Sequence, residues 1–473
     1  MNKTVRAGAR SGSVTIPASK SAAHRQLICA ALSEAESTVV CDGISKDIQA
    51  TMDCLTALGA RFIKAPEGIR VIPRELAGGE ACSSGAGGEK QPASAVGAGG
   101  EKQPVSAVGA GGEKQLPCGE SGSTLRFLLP IAAALAENVT FHMEGKLPER
   151  PHKELIEQLS LHGARIYQDG ANLHCEGSLS GGLYELPGGV SSQFISGLLF
   201  VLPLLKESSV IRIVGNIESA AYIAMTEQAV SAAGIRFTKR LQEVSEGGSH
   251  FTKTAPEYHI PGGQSYRAKE HITVERDWSN AAFFLCAGAF SERGILVKGL
   301  SSDTAQGDRE ILSVLRKFGA EVTEGEEGVL VRKRPLTGCV VDASGIPDLV
   351  PVISVLAAGA AGETRIVHAE RLRFKESDRL QSTAAMLTAL GGTVTETQDG
   401  LIIKGTRTLT GGTVNPVNDH RIAMAAAVAA GICGGEVTIE DAQCVEKSYP
   451  AFFTDWENLE VSEWEAHTAK TFG

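Results

Sequence analysis

The stretch ALGARFI, residues 57–63, places a glycine between the end of an apolar helical pattern and the start of a short alternating strand pattern. A glycine directly after a helix adopts the left-handed conformation that caps it, and alternation afterwards is typical of a half-buried strand. The same arrangement occurs in LHGARIY (161–167), AAGIRFT (232–238), KFGAEVT (317–323) and ALGGTVT (389–395). The pattern therefore predicts a helix–glycine–strand element that is repeated along the chain.

Each repeated unit also begins alike, with a polar cluster that opens a helix rich in alanine and leucine. The openings are ASKSAAHRQLICAAL, GESGSTLRFLLPIAAAL, VSSQFISGLLFVLPLL, RDWSNAAFFLCAGAF, IPDLVPVISVLAAGA and NDHRIAMAAAVAAG. A β-rich stretch and a second helix follow, which indicates six βαβαββ-like units. The last unit ends in the helix around YPAFFTDWENL, so its closing strands must come from the N-terminus.

Six such units divide naturally into two domains of three, within the α/β (α+β) class. Because the N-terminus completes the last unit, the first and last segments are expected to share a domain. We predict one discontinuous domain from residues 1–18 and 276–473 and a second from residues 19–275. A glycine-rich 12-residue repeat (GAGGEKQPASAV, GAGGEKQPVSAV, GAGGEKQ) interrupts the second domain. We interpret residues 80–115 as a disordered surface insertion, since this composition cannot bury enough apolar surface to order itself.

The composition argues against several functional classes. The chain has 473 residues, 42% of them hydrophobic, and a formal net charge of −10. An acidic balance disfavours a general binder of nucleic acid or anionic membranes, which would carry a basic surface. No apolar run reaches the ~20 residues of a membrane span, and the N-terminus lacks a secretory signal, so we expect a cytoplasmic protein. The ten cysteines show no CxxC spacing, and we expect reduced thiols and no metal site.

Polar residues at the starts of the six first helices are the strongest functional signal. They are Lys20, Ser21 and Arg25; Ser123 and Arg126; Ser191, Ser192 and Gln193; Asp277; Asp348; and Asp419, His420 and Arg421. Capping of the helix explains a serine or an aspartate at such a position, as for Asp277. It does not explain the cations, because a positive charge at a helix N-terminus opposes the helix dipole. Their presence in related units indicates that the helix starts bind anions.

The stretch RLRFKESDRL, residues 371–380, concentrates six charges at the expected start of the fifth unit's second helix. Such a cluster is commonly a solvated helix face. Alternatively, Lys375 and Arg379 lie four apart on one face and hold an anion while Glu376 exchanges a proton. Arg150 and Lys447 also precede second helices, where each is either a surface charge or a further anion ligand.

Ten motifs in order now give the chain a resemblance. They are PASKSAAHR, GESGSTLRFL, LPERP, VSSQF, GGQSY, QGD, IPD, FKESDRL, NDHRIAM and VEKSYP. Together they resemble the 5-enolpyruvylshikimate-3-phosphate synthases of the enolpyruvyl transferase family, over nearly the whole chain apart from the repeat. The resemblance implies a two-domain inside-out α/β barrel with three βαβαββ units per domain. It also implies transfer of the enolpyruvyl group of phosphoenolpyruvate to the 5-hydroxyl of shikimate 3-phosphate, with release of phosphate and with no cofactor or metal. We expect a monomer without nucleic-acid or membrane partners.

The resemblance also assigns binding residues, position by position. The residues for shikimate 3-phosphate are Lys20, Ser21, Arg25, Ser191, Ser192, Gln193, Ser219, Asp348 and Lys375. The residues for phosphoenolpyruvate are Lys20, Gly122, Arg150, Gln193, Arg379, Arg421 and Lys447. Arginine forks suit carboxylate and phosphate groups, and Gly122 leaves room for a close approach to the backbone.

The mechanism implied is addition followed by elimination through a tetrahedral intermediate. Asp348 takes the proton of the attacking hydroxyl, and either Glu376 or Lys20 protonates the methylene carbon of phosphoenolpyruvate. His420 is a candidate for relaying or orienting. Because these groups lie close together, their protonation is coupled and the acid–base roles stay open at this point.

Three positions depart from the family pattern, and two rival functions stay open. The family often has asparagine at Glu120 and at His24, and a smaller polar residue at Arg371. One rival is the sister transferase that acts on UDP-N-acetylglucosamine, which uses a mobile-loop cysteine; Cys118 is the candidate here. The other rival is a non-catalytic anion-binding protein of the same fold. Such a protein is expected to lack acid–base groups such as Asp348 and Glu376 beside the cations.

Overall fold

The computed structural model describes residues 1–73, 112–215, 217–245 and 252–461. Residues 80–111 of the predicted insertion lie outside this part of the chain. The predicted end of the insertion at residue 115 is wrong, because a strand begins at Lys114 and pairs with residues from Val139 onward. Side-chain hydrogen bonding to a neighbouring strand makes this end of the repeat part of the folded unit.

Helices alternate with strands along the described chain, two helices to a unit. Their bounds are α1 (Lys20–Ala31), α2 (Lys46–Ala57), α3 (Gly122–Leu135), α4 (Lys153–Leu161), α5 (Ser192–Val201), α6 (Ala220–Ala232), α7 (Trp278–Gly288), α8 (Ile311–Phe318), α9 (Val350–Ala358), α10 (Arg379–Ala389), α11 (His420–Ala429) and α12 (Phe452–Glu457). The odd-numbered helices are the apolar, almost fully buried ones, as the openings predicted.

The strands are short, and most come in sets of four. Their bounds are β1 (Lys3–Val5), β2 (Arg10–Thr15), β3 (Ser37–Val40), β4 (Arg61–Ala65), β5 (Gly68–Ile72), β6 (Lys114–Gly119), β7 (Asn138–Met143), β8 (Ala164–Asp169), β9 (Asn172–Gly177), β10 (Leu183–Pro187), β11 (Ser209–Val214), β12 (Thr238–Ser245), β13 (Thr252–Ile260), β14 (His271–Thr273), β15 (Ile295–Lys298), β16 (Glu321–Gly325), β17 (Gly328–Arg332), β18 (Val340–Asp342), β19 (Ala361–Val367), β20 (Thr393–Glu396), β21 (Leu401–Thr406), β22 (Gly412–Val414), β23 (Val437–Ile439) and β24 (Glu460–Val461).

Six sheets in the described residues share one topology. In the sheet β6-β7-β9-β8 the first pair is parallel and the other two are antiparallel. The sheets β10-β11-β13-β12 and β18-β19-β21-β20 have the same order and directions. With their helices, these are βαβαββ units, as predicted.

The remaining units borrow strands from distant parts of the chain. Strand β14 leads the first unit by pairing in parallel with β3, and β2 leads the fourth by pairing in parallel with β15. Strand β1 closes the last unit, where Lys3 lies opposite Ile439 of β23. The prediction that the N-terminus completes the last unit is therefore confirmed.

The glycines that define the repeat all have the left-handed backbone that the pattern requires. The φ angles are 112° at Gly59, 107° at Gly163, 85° at Gly234, 97° at Gly319 and 85° at Gly391. After Gly234 the strand starts only at Thr238, later than the pattern predicts. The cap is thus set by the glycine, while the strand start depends on pairing with β13.

Buried hydrophobic side chains form two separate cores. One runs from Ala18 to Val274, and the other combines Val5, Val14 and Ile16 with residues from Trp278 to Leu459. Each core is built mainly from the apolar first helices of three units. The two cores support the proposed domain boundaries.

Candidate active site

The starts of the first helices meet at one cavity of about 560 Å³ between the two cores. Lys20, Gly122, Ser192 and His420, the first residues of α1, α3, α5 and α11, all line it. In the fifth unit a short 3₁₀ turn, Pro347–Leu349, precedes α9 and brings Asp348 to the same place. Helix N-termini present unpaired N–H groups and partial positive charge, so their convergence favours anions.

Most of the residues predicted for the site line this cavity. They are Lys20, Ser21, Arg25, Gly122, Arg150, Ser191, Ser192, Gln193, Ser219, Asp348, Lys375, Glu376, His420 and Arg421. Two predicted ligands of phosphoenolpyruvate, Arg379 and Lys447, do not line it, and each is held by carboxylates.

Serine and aspartate side chains cap the helices that start at the cavity. Ser19, Ser121, Ser191, Asp277 and Asp419 each accept a hydrogen bond from a backbone N–H in the first helical turn. Capping therefore accounts for the acids and several serines, as the alternative explanation held. It leaves the cations to be explained.

Three cationic side chains at the cavity lack an ion pair among the described residues. Arg25 donates to Thr226 Oγ1 at 2.7 Å and to two backbone carbonyls, and burial lowers its pKa to about 10. Arg126 donates to Gln193 Oε1 at 2.7 Å, and burial with the nearby charge of Arg150 lowers its pKa. Arg150 has a buried Nε without a hydrogen-bond partner in this part of the chain. Uncompensated buried charge is costly, so these groups favour an anionic ligand.

The other cations are compensated inside the protein, which the sequence did not predict. Lys20 Nζ lies 2.9 Å from Asp47 Oδ2, in the first turn of α2. Arg371 lies 2.8 Å from Glu218 and 3.3 Å from Ser219 Oγ. In total the described lining has seven cationic and seven carboxylate side chains.

Asp348 is the carboxylate most tightly surrounded by cations. Its oxygens lie 2.9 Å from Arg379 Nη1, 3.0 Å from Arg421 Nη2 and 3.5 Å from Lys375 Nζ. Burial alone raises the pKa of Asp348. The charges of Arg421, Lys375 and Arg379 outweigh burial and hold that pKa well below its ordinary range.

Glu376 has a similar environment. Its Oε2 accepts a hydrogen bond from Arg379 Nη2 at 2.6 Å. Burial raises the pKa of Glu376, but Arg379 and Arg150 outweigh it and hold the pKa well below its ordinary value. Glu376 is therefore ionised at neutral pH in this arrangement.

The prediction about RLRFKESDRL is partly wrong. Helix α10 begins only at Arg379, with Asp378 as its cap, so Lys375 and Glu376 precede it in extended chain. Lys375 and Arg379 therefore do not share a helix face. Lys375 lines the cavity and burial lowers its pKa to about 8. Arg379 is 1% exposed and binds Asp419 behind the cavity wall.

The solvated-face explanation holds for one part of the same stretch. Arg373 pairs with Glu396 and Asp378, away from the cavity. The cluster thus divides into cavity-facing, buried and surface charges. An i, i+4 rule cannot find this division, because the chain is not helical there.

His420 is buried at the cavity with both ring nitrogens unpartnered among the described residues. Burial, followed by the charges of Lys20 and Arg421, lowers its pKa well below the ordinary value. The ring is therefore neutral and carries one N–H donor. Its electrostatic contacts include both Lys20 and Glu376, so it lies near both candidate acids.

Gly122 leaves space for an arginine side chain. A Cβ built at Gly122 would lie 2.8 Å from Nη1 and 3.1 Å from Cζ of Arg150. The sequence predicted room for a ligand there. The structure shows that the guanidinium of Arg150 packs over the start of α3.

Two other cavity residues were not assigned from the sequence. Tyr222 OH lies 3.2 Å from Asp348 and 3.4 Å from Asp308. Tyr222 is one helical turn beyond Ser219, and Asp308 belongs to the quoted QGD motif, so both signals were present. Ser219 itself has a strained left-handed backbone with φ of 55°, which occurs often at binding sites.

The three departures have separate structural explanations. His24 is a core residue that bonds Thr51 Oγ1 at 2.7 Å and packs edge-on against Phe127. Arg371 faces the cavity, as described above. Glu120 contacts Lys447 and Asn418 across the two cores.

Cys118 does not support the sister transferase. Its side chain is 0% exposed in β6 and donates to the carbonyl of His142. Burial raises the pKa of this thiol to about 12. A protonated thiol inside a sheet cannot act as a mobile-loop nucleophile or acid.

Two searches of the described residues found nothing. Among them, no helix is long and apolar enough to cross a membrane. No group of three or more histidine, cysteine, aspartate or glutamate side chains there is arranged to hold a metal ion.

Comparisons with known proteins agree on one family. A family model for EPSP synthase (3-phosphoshikimate 1-carboxyvinyltransferase) matches residues 6–84 and 100–456. The 3-phosphoshikimate 1-carboxyvinyltransferase of Clostridium perfringens is 40% identical over 453 residues, covering 95% of this chain and 96% of the relative. That of Clostridium acetobutylicum is 38% identical over 461 residues, covering 96% of each.

Solved structures show the same fold. An EPSP synthase from Acinetobacter baumannii superposes with a TM-score of 0.71 at 24% identity, covering 98% of this chain and all of that one. The enolpyruvyl transferase NikO from Streptomyces tendae gives a TM-score of 0.70 at 15% identity, covering 98% and 97%. At these identities the likeness concerns the fold alone.

Proposed function

This chain belongs to the EPSP synthase (3-phosphoshikimate 1-carboxyvinyltransferase) family, and on that premise we propose that its cavity binds phosphoenolpyruvate and shikimate 3-phosphate. The enzyme transfers the enolpyruvyl group to the 5-hydroxyl of shikimate 3-phosphate and releases phosphate. The reaction is an addition followed by an elimination, through a tetrahedral intermediate.

The three unpaired arginines are the observation that carries this proposal. Arg25, Arg126 and Arg150 line one cavity without a carboxylate partner in the described chain. Both substrates are phosphorylated, and one also carries a carboxylate beside its phosphate. Planar guanidinium groups bind such oxygens through two parallel hydrogen bonds.

We assign the two substrates to different sides of the cavity. Arg25, Ser219 and Arg371 lie toward α6, and this side suits the phosphate of shikimate 3-phosphate. Arg150 packs over Gly122 at the start of α3, and this side suits phosphoenolpyruvate. Arg379 supports both sides indirectly, because it fixes Asp348 and Glu376.

The acid–base roles follow from the charges around the carboxylates. Asp348 takes the proton of the 5-hydroxyl as this oxygen bonds to C2 of phosphoenolpyruvate. Lys20 is an ammonium group and donates the proton that turns the methylene carbon into a methyl group. In the elimination the methyl group returns a proton to the ionised Glu376, and the bond to phosphate breaks. His420 orients Lys20 and Glu376 through its single N–H.

We further propose a cytoplasmic monomer with domains 1–18 plus 276–473 and 19–275. The cavity draws its described residues from one chain, and eight of the nine described cysteines are buried free thiols, which suits a reducing compartment. Light scattering of the purified protein at micromolar concentration tests the oligomeric state; a mass near 49.5 kDa is expected.

Phosphate release from phosphoenolpyruvate, with and without shikimate 3-phosphate, tests the function. Release that depends strictly on shikimate 3-phosphate is expected in the wild type. Arg150→Met should lower kcat/KM for phosphoenolpyruvate by about tenfold or more, since a charge-assisted hydrogen bond is lost. Arg365→Met is the matched control, because Arg365 is 58% exposed and pairs with Glu363 on the surface. Equal effects in both variants, or no release by the wild type, would contradict the proposal.

A further inference from the structure

Glu120 connects the two cores at the edge of the cavity. It follows β6 and precedes α3, in the part of the chain that forms the Ala18–Val274 core. Its Oε2 lies 2.7 Å from Lys447 Nζ, and both of its oxygens lie 3.1 Å from Asn418 Nδ2. Lys447 and Asn418 belong to the other side of the cleft.

The carboxylate of Glu120 occupies a seat that fits it closely. A Cβ built at Gly145 would lie 2.6 Å from Oε2 of Glu120, so only glycine leaves room there. On the opposite side, Asn418 has a left-handed backbone with φ of 57°, and its carbonyl accepts from Lys447 at 2.7 Å. Four groups therefore fix one carboxylate–ammonium contact.

This contact explains why Lys447 does not line the cavity. Lys447 is 10% exposed, and two of its three N–H donors are taken by Glu120 and Asn418. Glu120 also lies two residues before Gly122, over which the unpaired Arg150 packs. An anion bound at Arg150 would meet the negative charge of Glu120 nearby.

We propose that Glu120 determines the affinity for phosphoenolpyruvate by competing with this substrate for Lys447. The carboxylate holds the ammonium group until a substrate anion replaces it, and its charge opposes the anion in the meantime. Both effects act in the same direction, since each weakens binding of phosphoenolpyruvate. The inference rests on the proposed function and adds a residue that limits affinity.

The chain offers a control for the alternative that Glu120 merely holds the two cores together. Lys46 and Glu446 form another pair between the cores at 2.9 Å, with side chains 64% and 44% exposed. This pair does not touch the cavity. Glu446→Gln removes a carboxylate between the cores without changing the surroundings of Lys447.

The experiment compares Glu120→Gln, Glu120→Asn and Glu446→Gln with the wild type. Glutamine keeps the shape and removes the charge; asparagine also removes the contact. We expect both Glu120 variants to lower KM for phosphoenolpyruvate by about three- to tenfold, as for loss of a partly buried charge interaction. KM for shikimate 3-phosphate should stay unchanged, and Glu446→Gln should match the wild type. Glu120 is 28% exposed, and circular dichroism checks that the variants fold.

Each other outcome rejects the inference. An unchanged or raised KM for phosphoenolpyruvate in both Glu120 variants would show that the carboxylate does not compete. An equal fall in Glu446→Gln would assign the effect to closure of the cores. Equilibrium binding of phosphoenolpyruvate to the same proteins separates this test from the activity, because tighter binding by the Glu120 variants is expected even if the wild type shows no turnover.

Discussion

Replacing Gly122 by alanine tests whether Arg150 is positioned by the start of α3. The new Cβ would lie 2.8 Å from Nη1, 3.1 Å from Cζ and 3.2 Å from Nη2 of Arg150. An ordinary contact needs about 3.4 Å, so the guanidinium must move by roughly 0.6 Å. Gly122 has no positive φ, and the clash involves only the end of a flexible side chain. Folding stability should therefore change little.

The displacement should weaken binding of phosphoenolpyruvate selectively. A charge-assisted hydrogen bond contributes about 1.5–3 kcal/mol, and a shift of this size removes part of it. Loss of about 1–2 kcal/mol corresponds to a rise in KM for phosphoenolpyruvate of about 5- to 30-fold. KM for shikimate 3-phosphate should remain within about twofold, because Arg25 lies on the other side of the cavity.

Steady-state phosphate release with each substrate varied in turn measures both constants. Gly325→Ala is the control, since the Cβ there meets nothing within 4 Å. The double variant Gly122→Ala with Arg150→Met isolates the pathway of the effect: once Arg150 is gone, the alanine should add little. Additive effects in the double variant, or an unchanged KM in Gly122→Ala, would refute the reasoning.

Three further outcomes are expected. The lowered pKa of Lys375, about 8, means that its charge is lost as pH rises through this value; KM for shikimate 3-phosphate should rise above pH 8, and Lys375→Arg should abolish this rise. Arg379→Met leaves three buried carboxylates without their shared guanidinium and should lower the free energy of unfolding in urea by about 3–5 kcal/mol, whereas the surface variant Arg365→Met should cost under about 1 kcal/mol. Cys118→Ser should retain most of the activity, and near-total loss would favour the sister transferase.

The fold was accessible from the sequence because its punctuation is local. A capping glycine such as Gly59 needs a positive φ wherever its neighbours lie, so the repeat survives in the sequence. The pairing of β1 with β23 followed by elimination, since the last unit lacked strands. The role of β2 as the leading strand of the fourth unit was not found, because the partner β15 lies some 280 residues away and leaves no local signal.

The site was predicted less completely for the same reason. Residues at helix starts, such as Lys20 and Arg421, can be found from the pattern and the resemblance. Their partners cannot: Asp47 and Glu218 belong to other helices or loops, and only folding brings them within 3 Å. The start of α10 was misplaced by three residues because charged side chains carry little information about where a helix begins.

The internal pairing of the cavity explains how an acidic protein keeps a cationic site folded and reactive. Buried cations without partners would each cost several kcal/mol, so carboxylates such as Asp348 stabilise the site before substrates bind. The same pairing makes Asp348 a weak base, because Arg421 and Lys375 stabilise its ionised form. When substrate anions bind these two cations, the cations stabilise Asp348 less and its pKa rises. The carboxylate thus becomes a stronger base only in the complex in which a hydroxyl proton is waiting, and the order of binding and proton transfer follows from electrostatics alone.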